Sequence, residues 1–261
     1  MNAIMDLPIW NLAIAYVFVL LLLVLSKARG IGREKFILTA TVRMTVQLTL
    51  MGFVLMYVFD HPSWWLTSLM LFIMLAFAIR TACRRVSKSL PKSLRQLIGI
   101  CLVVSYVVTA LVFLLAVLRV TPWFNPQYCI PISGMIIGNT MTGLALGANK
   151  LRSGIEENRE MIENSLMLGS TPKAATHKIV NDAFDSAILP NMTNMLTMGV
   201  VSLPGMMTGQ ILSGTFPMTA IKYQIGIMLA ILGCTALACV LLVTIGYQSF
   251  FTKDAALKDI T

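Results

Sequence analysis

The sequence has little charge. Only 12% of its 261 residues are Asp, Glu, Lys or Arg, while 57% are hydrophobic. Soluble domains carry about 25% charged residues, so this composition excludes a soluble fold for most of the chain. Apolar stretches of about 18 or more residues, the length needed to cross a bilayer, recur along it. The sequence therefore predicts one all-α polytopic membrane domain over residues 1–261, with no separate soluble domain.

Groups that perform enzyme chemistry are also scarce. The sequence contains two histidines, His61 and His177, which fall on opposite sides of the predicted membrane domain. It has no GxSxG, HExxH or paired-carboxylate motif, and no GxxxxGK(S/T) phosphate-binding loop. The five cysteines form no CxxC pair, so neither a disulfide framework nor a thiolate metal site is predicted. We expect no enzyme activity and no cofactor bound by this chain, so any use of ATP requires a separate subunit.

Acidic residues are missing from the interiors of the predicted spans. Proton- and ion-coupled carriers place ionisable groups inside the helix bundle, so this lack argues against a secondary transporter. The net charge of +9 would suggest nucleic acid as a partner of a soluble protein. In a membrane protein the charge is better explained by topology, and no nucleic-acid partner is expected.

Hydropathy predicts about seven membrane spans, each near the ~20 residues needed to cross the hydrocarbon. The first follows Asp6 rather than a basic segment, which predicts a retained span and not a signal peptide. The sixth is interrupted by Pro190, Gly199, Pro204 and Gly205, which predicts a broken helix. The predicted spans are residues 7–25, 36–59, 64–79, 97–118, 130–148, 188–207 and 224–250.

The distribution of basic residues predicts the orientation. Of the 20 Lys and Arg residues, 17 fall in one set of loops and the tail, Arg119 and Lys222 fall in the other set, and Arg43 lies within a span. Cytoplasmic loops carry the excess of Lys and Arg. The four tryptophans lie near the predicted outer ends of spans, as membrane-interface residues do. We expect a multi-pass inner-membrane protein with its amino terminus outside and its carboxyl terminus in the cytoplasm.

The largest predicted segment outside the bilayer is 149–187, which is expected to be a cytoplasmic helix-turn-helix. Gly169 suits the position after a helix, Thr171 an N-cap and Pro172 the first helical residue. In the second helix one face is apolar, whereas the opposite face carries His177, Asn181, Asp182 and Asp185. Because that polar face is not rich in Lys or Arg, a docking element for a cytoplasmic partner fits better than a lipid-surface helix.

A few polar residues are predicted at membrane depth. Arg43 and Gln47 share one face of the second span with Thr39, where Arg43 either contacts substrate or extends to the membrane surface. Asn139 in the fifth span is expected to form a hydrogen bond within the bundle or line a pathway. The same span pairs Gly134 with Gly138 and Gly143 with Gly147, which predicts close helix packing. Methionines near spans five and six are either ordinary packing residues or soft-metal ligands.

Several motifs carry a family resemblance. The segment from Glu163 to Gly169 has the spacing of the coupling motif of ABC importer permeases, an acidic residue six positions before a glycine. VSLPGMMTGQILSG (201–214), AIKYQI (220–225), PISGMIIGN (131–139), LGSTPKAA (168–175) and Arg43-x-x-x-Gln47 add to it. Across nearly its whole length the chain closely resembles the FetB-like permease family, which includes bacterial iron-export permeases and plant aluminium-tolerance permeases.

The resemblance implies a membrane subunit of an ABC transporter that works with a separate ATP-binding subunit, with two copies of each. It implies that 163–187 docks the ATPase, for which the candidate residues are Glu163, Gly169, Thr171, Pro172, His177 and Asp182. The candidates for the substrate pathway are Arg43, Gln47, Asn139, Asn191, Pro204 and Gly205. The implied cargo is iron or a metal-linked solute moved outward. The alternatives are a passive channel or carrier for another solute, such as a nucleotide sugar, and a membrane enzyme or scaffold.

Overall fold

The computed structural model of the chain describes residues 8–86, 92–252 and 256–258. Leu7, at the start of the predicted first span, and the basic residues Lys88 and Lys253 lie outside the described residues. Regular structure in the described ranges is helical, without β-strands. The described residues divide into two compact units. One comprises the chain up to Pro62 with Leu212–Gly214, and the other comprises Ser63–Ile211 with the chain from Thr215 onward.

The first unit contains helices α1 (Ile9–Ala15), α2 (Val17–Ala28) and α3 (Glu34–Asp60). Helix α2 is a nearly unbroken apolar run, and α3 is apolar between its charged ends apart from its Thr, Arg43 and Gln47 positions. Gly30 and Gly32 have φ angles of +65° and +69°, which only glycine adopts at little cost, so the chain can turn sharply between α2 and α3. The hydroxyl of Tyr16, where α1 meets α2, forms a hydrogen bond of 2.6 Å with the hydroxyl of Thr45 in α3.

The second unit begins with helices α4 (Trp64–Arg85), α5 (Lys92–Leu111) and α6 (Pro126–Glu157). A π-helical turn, Val112–Val117, extends α5. The start of α6 is well defined, because Asn125 Oδ1 accepts a hydrogen bond from the Gln127 N–H at 3.1 Å and Pro126 occupies the first turn. At 32 residues, α6 is about 48 Å long and thus exceeds the ~30 Å hydrocarbon thickness.

The rest of the second unit comprises α7 (Arg159–Met167), α8 (Pro172–Thr197), α9 (Gly205–Leu212) and α10 (Pro217–Gly246). A single 3-10 turn, Tyr247–Phe250, follows α10 and is held by the fully buried Phe250. Helix α8 passes through Pro190 without ending there. It ends at Thr197 and is separated from α9 by a short irregular segment, 198–204.

Helices α6 and α10 lie at the centre of the second unit, where they pack against α4, α5 and α8. Their facing surfaces are lined by fully buried apolar residues, among them Leu144, Leu151, Ile155, Ala238 and Leu242. Small residues dominate where the backbones come closest. This alternation of small and branched side chains fills the space between helices without voids.

Near neighbours establish the helix directions in this core. A Cβ on Gly154 would lie 2.6 Å from Ile179 of α8, and one on Gly143 would lie 2.9 Å from the carbonyl oxygen of Ala187, so α6 and α8 are antiparallel. Gly147 lies beside Cys239 of α10, whereas Leu151 lies beside Gly246. Helices α6 and α10 are therefore parallel, and α8 is antiparallel to both.

Within the described residues, six helical stretches are long and apolar enough to cross a membrane. They are Trp10–Ala28, Glu34–Asp60, Trp64–Arg85, Ser93–Val117, Pro126–Glu157 and Pro217–Phe250. Six of the seven predicted spans thus have counterparts. The predicted sixth span, 188–207, has none, because Asn191, Thr193 and Asn194 lower its hydropathy and the helix ends at Thr197. The prediction that this segment is a broken helix is confirmed.

Two predicted boundaries were wrong. The fifth span was expected to end at Ala148 and a separate helix to begin at Asn149, but α6 continues without interruption to Glu157. The second helix of the segment 149–187 was expected to end before the sixth span, but it is the first part of α8. No stop signal follows Asn149 directly, and Pro190, two residues after Ile188, is accommodated within α8 instead of ending it.

Candidate functional site: a capped turn joined to a buried polar cluster

The turn between α7 and α8 is held by backbone hydrogen bonds typical of a Schellman motif. The Ser170 N–H donates to the Ser165 carbonyl at 3.0 Å, and the Gly169 N–H donates to the Leu166 carbonyl at 3.0 Å. Gly169 has a φ of +87°, the left-handed conformation that this motif requires. The position predicted for Gly169 from sequence is confirmed.

The start of α8 is equally specific. Thr171 is the N-cap, and its Oγ1 accepts a hydrogen bond from the Ala174 N–H at 3.3 Å. Pro172 is the first helical residue, where its missing N–H costs nothing. Thr176 then donates its hydroxyl to the Pro172 carbonyl at 2.8 Å. Gly169, Thr171 and Pro172 therefore form one compact turn, in the roles that the sequence predicted.

Three other predicted docking residues lie beside this turn without joining it. Glu163 is half-buried on α7, where its Oε1 forms an ion pair with Arg159 Nε at 2.8 Å. His177 and Asp182 are exposed on α8. His177 Nδ1 lies 3.5 Å from the Asn181 side-chain amide, so the first two polar residues of this face are in contact.

The sequence interpretation missed two apolar residues at the turn. Met167 and Leu168 are 84% and 88% exposed, immediately before Gly169. In α7 the buried anchor is Ile162, five residues earlier, which holds the helix against the second unit's core. Two large apolar side chains presented at the end of a short helix are typical of a contact with another surface. A run of Met and Leu before a capping glycine was the available signal.

Helix α8 is anchored to the core by a row of small residues on α6. A Cβ at Gly147 would lie 3.2 Å from Ala187 Cβ and 3.3 Å from the Ala183 carbonyl, so the two backbones are close over several turns. The buried face of α8 is the one predicted, with Ile179, Ala183 and Ala187 buried, while His177, Asn181, Asp182 and Asp185 are exposed.

A buried polar cluster lies near the far end of this contact. Asn191 Nδ2 donates to Thr235 Oγ1 at 3.1 Å, and the Thr140 hydroxyl lies 3.4 Å from the same oxygen. The Thr235 hydroxyl donates to the Ile231 carbonyl at 2.8 Å. Asn191 is 4% exposed and both threonines are fully buried. The three side chains join α6, α8 and α10 by hydrogen bonds that water cannot reach.

The remaining pathway candidates are spread over both units. In the first unit, Arg43 and Gln47 are exposed and line one groove of α3 with Thr39, which confirms their predicted shared face. In the second, Asn139 donates to the Met135 carbonyl of its own helix at 2.8 Å. The Pro204 carbonyl accepts the Thr208 N–H at 2.9 Å, and Gly205 begins α9. Asn191 thus forms a hydrogen bond to another helix of the core, whereas the hydrogen bond of the Asn139 side chain is to its own helix, α6.

The segment between α8 and α9 keeps its backbone hydrogen-bonded despite its irregular path. The Gly199 N–H donates to the Ser202 carbonyl at 2.9 Å, and the Val201 N–H donates to the Thr197 carbonyl at 2.9 Å. Gly199 has a φ of +89°. Such internally satisfied breaks are tolerated at membrane depth and are frequent in transporters.

One helix links the parts of this arrangement. Helix α8 spans about 39 Å, from the capped turn at its start to the break at its end. In the described ranges, no three His, Cys, Asp or Glu side chains are close enough to hold a metal ion together. The capped turn, the polar cluster and the break thus all lie along or at the ends of α8.

Comparisons with known proteins identify related membrane proteins. The uncharacterised protein family UPF0014 matches residues 9–251. The chain is 37% identical over 251 residues to the UPF0014 membrane protein YjkA of Bacillus subtilis, covering 95% of this chain and 98% of that protein. It is 35% identical to the protein ALUMINUM SENSITIVE 3 of Arabidopsis thaliana, covering 94% and 88%. It is 33% identical to the probable iron export permease protein FetB of Escherichia coli, covering 93% and 92%. No solved structure matches the chain.

Proposed function

The chain belongs to the UPF0014 family of membrane proteins, and from this we propose that it is the membrane-spanning subunit of an ATP-driven exporter whose ATP-binding subunit is a separate protein. The family includes the FetB-like permeases, so the predicted resemblance is confirmed. The relative named as a probable permease supports a transport role rather than an enzyme activity. The ATPase partner, the direction and the cargo are proposals.

The proposed topology has seven crossings, with α8 and the break after it forming the sixth. Helices α6 and α10 are parallel and α8 is antiparallel to both, so the chain must return across the bilayer between them. Seven crossings place the amino terminus outside and the carboxyl terminus inside a bacterial inner membrane, in line with the basic loops.

The observation that carries the proposal is that one helix, α8, joins an exposed capped turn to a buried polar cluster. The turn presents Met167 and Leu168 at 84% and 88% exposure, which suits the groove of a docked ATPase. Close packing with α6 prevents α8 from bending along this path. When ATP closes the paired ATPase subunits, displacement of the turn would tilt α8 and shift the break beside the pathway candidates.

Two copies of the chain would act with two ATPase subunits, an arrangement that follows from the family resemblance. Iron, or a metal-linked solute, is the proposed cargo, since one relative is a probable iron export permease and another is named for aluminium sensitivity. The described residues contain no cluster of hard metal ligands. Transport of a chelated or transiently bound metal therefore fits this chain better than a permanent iron site.

The experiment that tests the proposal is co-purification of the tagged chain with a co-expressed ATP-binding subunit in mild detergent. Its ATPase activity is then measured with and without iron and other metal ions. A stable complex whose hydrolysis responds to metal is expected. If no ATP-binding subunit associates and the reconstituted chain moves solute without ATP, it is a passive channel or carrier instead.

A further inference from the structure

A pocket lined by methionines lies at the break between α8 and α9. Its volume is about 380 Å³, and its walls come from the end of α8, the irregular segment, the start of α9 and the first half of α10. Four thioether side chains line it, Met195, Met198, Met207 and Met228, together with the amide of Gln224. The remaining lining residues are glycine and aliphatic side chains, so no charged group faces the pocket.

Gln224, one of the residues that line the pocket, has a side-chain oxygen without a hydrogen-bond partner in the described residues. Its side chain is only 6% exposed, and its Nε2 donates to Met198 Sδ at 4.0 Å. Its Oε1 is enclosed and has no hydrogen-bond partner within the described residues. A buried acceptor left unpaired costs roughly 1–3 kcal/mol, so this oxygen favours a ligand that brings a donor or a positive charge. Gln224 is itself one of the lining residues, so a ligand in the pocket lies next to this amide.

The donor set selects a class of ligand. Thioether sulfur is a soft ligand that prefers Cu(I)-like ions, whereas iron and other harder ions prefer carboxylate, imidazole or thiolate groups. The cost of removing an ion from water into an apolar site rises steeply with its charge, and no carboxylate is present to offset it. A soft cation with a single charge therefore fits this pocket better than a divalent one.

We propose that the pocket formed by Met195, Met198, Met207, Met228 and Gln224 binds a soft monovalent metal cation of the Cu(I) class. The long unbranched methionine side chains can converge on such an ion without moving the backbone. The position of the pocket at the break, where α8 ends, makes its shape depend on the tilt of α8. Its role as a cargo site rests on the proposed function, but binding itself depends only on the pocket.

The direct test uses selenomethionine-labelled full-length chain, purified in detergent and loaded with Cu(I) without oxygen. X-ray absorption at the selenium edge reports only metal held by methionine, so copper held by the five cysteines does not contribute. A selenium–copper scattering shell is expected. Its absence at saturating copper would overturn the proposal.

Matched variants assign the signal to this pocket. Met198→Leu with Met207→Leu should remove most of the shell and weaken Cu(I) binding, measured by competition with a chelator, by about tenfold or more. Met135→Leu with Met141→Leu, two methionines of α6 outside the pocket, should leave both unchanged. Leucine conserves the volume of methionine, so the fold tolerates either pair. If the selenium–copper shell persists in the Met198/Met207 variant and disappears in the Met135/Met141 variant, the copper site lies outside this pocket.

The oxygen of Gln224 has its own test. Gln224→Leu keeps every sulfur but removes the acceptor, so the selenium–copper shell should persist while Cu(I) affinity falls several-fold. Unchanged affinity would exclude the amide from the site. If the chain assembles with an ATP-binding subunit and yet shows no selenium–copper shell, the proposed function stands and this inference fails.

Discussion

At the scale of single residues, Gly143 shows how closely α6 and α8 approach. A Cβ at this position would lie 2.5 Å from Thr235 Cγ2 and 2.9 Å from the carbonyl oxygen of Ala187. Because one neighbour is backbone, the contact cannot be relieved by a rotamer change. Gly143→Ala is expected to lower the free energy of unfolding by about 1–3 kcal/mol, measured by thermal unfolding in detergent.

The matched control is Gly138→Ala, one helix turn and a residue earlier in α6. A Cβ there meets nothing within 4 Å, so this variant should be neutral or more stable by up to about 1 kcal/mol, because alanine favours helix. Equal destabilisation by both variants would mean that helix flexibility, and not the contact with α8, accounts for the effect.

These two glycines also show what spacing alone can predict. The sequence pairs Gly134 with Gly138 and Gly143 with Gly147, and close packing was predicted for both pairs. The prediction is confirmed for Gly143 and Gly147, and Gly134 meets Met74, but Gly138 faces open space. Spacing places residues on one helix face but does not say which neighbour covers each position along it.

Thr235 is the acceptor on which the buried polar cluster depends. Thr235→Val keeps the shape but leaves Asn191 Nδ2 without its acceptor, so a loss of about 1–2 kcal/mol in unfolding free energy is expected. Thr235→Ser restores the hydroxyl, so it should recover most of the lost unfolding free energy. The part that it does not recover corresponds to the missing methyl group. If serine behaves like valine, the threonine contributes packing rather than hydrogen bonds.

At the scale of elements, the turn between α7 and α8 was predictable from its residues. The glycine, N-cap and proline signals are local and lie within four positions, so the roles of Gly169, Thr171 and Pro172 followed from sequence. The length of α8 did not, since Pro190 reads as an interruption. The helix continues because close packing with α6 compensates for the hydrogen bond that proline removes.

Gly169→Pro tests whether this turn couples the two subunits. Proline fixes φ near −65°, whereas Gly169 has φ +87° and donates its N–H to Leu166. The variant should insert into membranes at the normal level but lose metal-dependent transport and ATPase activation. Gly169→Asn, which tolerates the left-handed conformation, should keep most activity. Normal transport by the proline variant would refute the coupling role.

The exposed apolar pair before the turn can be tested separately from the backbone. Leu168 is 88% exposed, so Leu168→Asp should leave folding unchanged and sharply reduce co-purification of the ATP-binding subunit. Met161→Asp introduces the same charge on α7, about two turns away, at a residue that is 48% exposed. We expect that control to retain the partner. Equal loss in both variants would point to a general effect of negative charge.

At the scale of the whole molecule, length and hydropathy give six candidate spans in the described residues, and the proposed topology adds α8 as a seventh crossing. The difference is α8. Its polar residues Asn191, Thr193 and Asn194 lower its mean hydropathy, so α8 is not among the six long apolar stretches. Asn191 is buried against Thr235, and this partner, invisible in the sequence, lowers the cost of placing its amide in the core. In the proposed topology, this tertiary pairing lets α8 cross the membrane despite its polar residues.

The number of crossings predicts which side of the membrane two positions occupy. Ser170 precedes α8 and Phe216 precedes α10, and both are exposed. Seven crossings place Ser170→Cys in the cytoplasm and Phe216→Cys outside, so a membrane-impermeant maleimide should label only the second in intact cells. Gln127→Cys, at the start of α6, should be labelled from the same side as Phe216→Cys, because α6 and α10 are parallel.

Labelling of the unsubstituted chain gives the background from Cys83, which is half-buried. If Ser170→Cys and Phe216→Cys label from the same side, α8 does not cross, and a tilt of α8 cannot carry a signal from a cytoplasmic ATPase through the membrane.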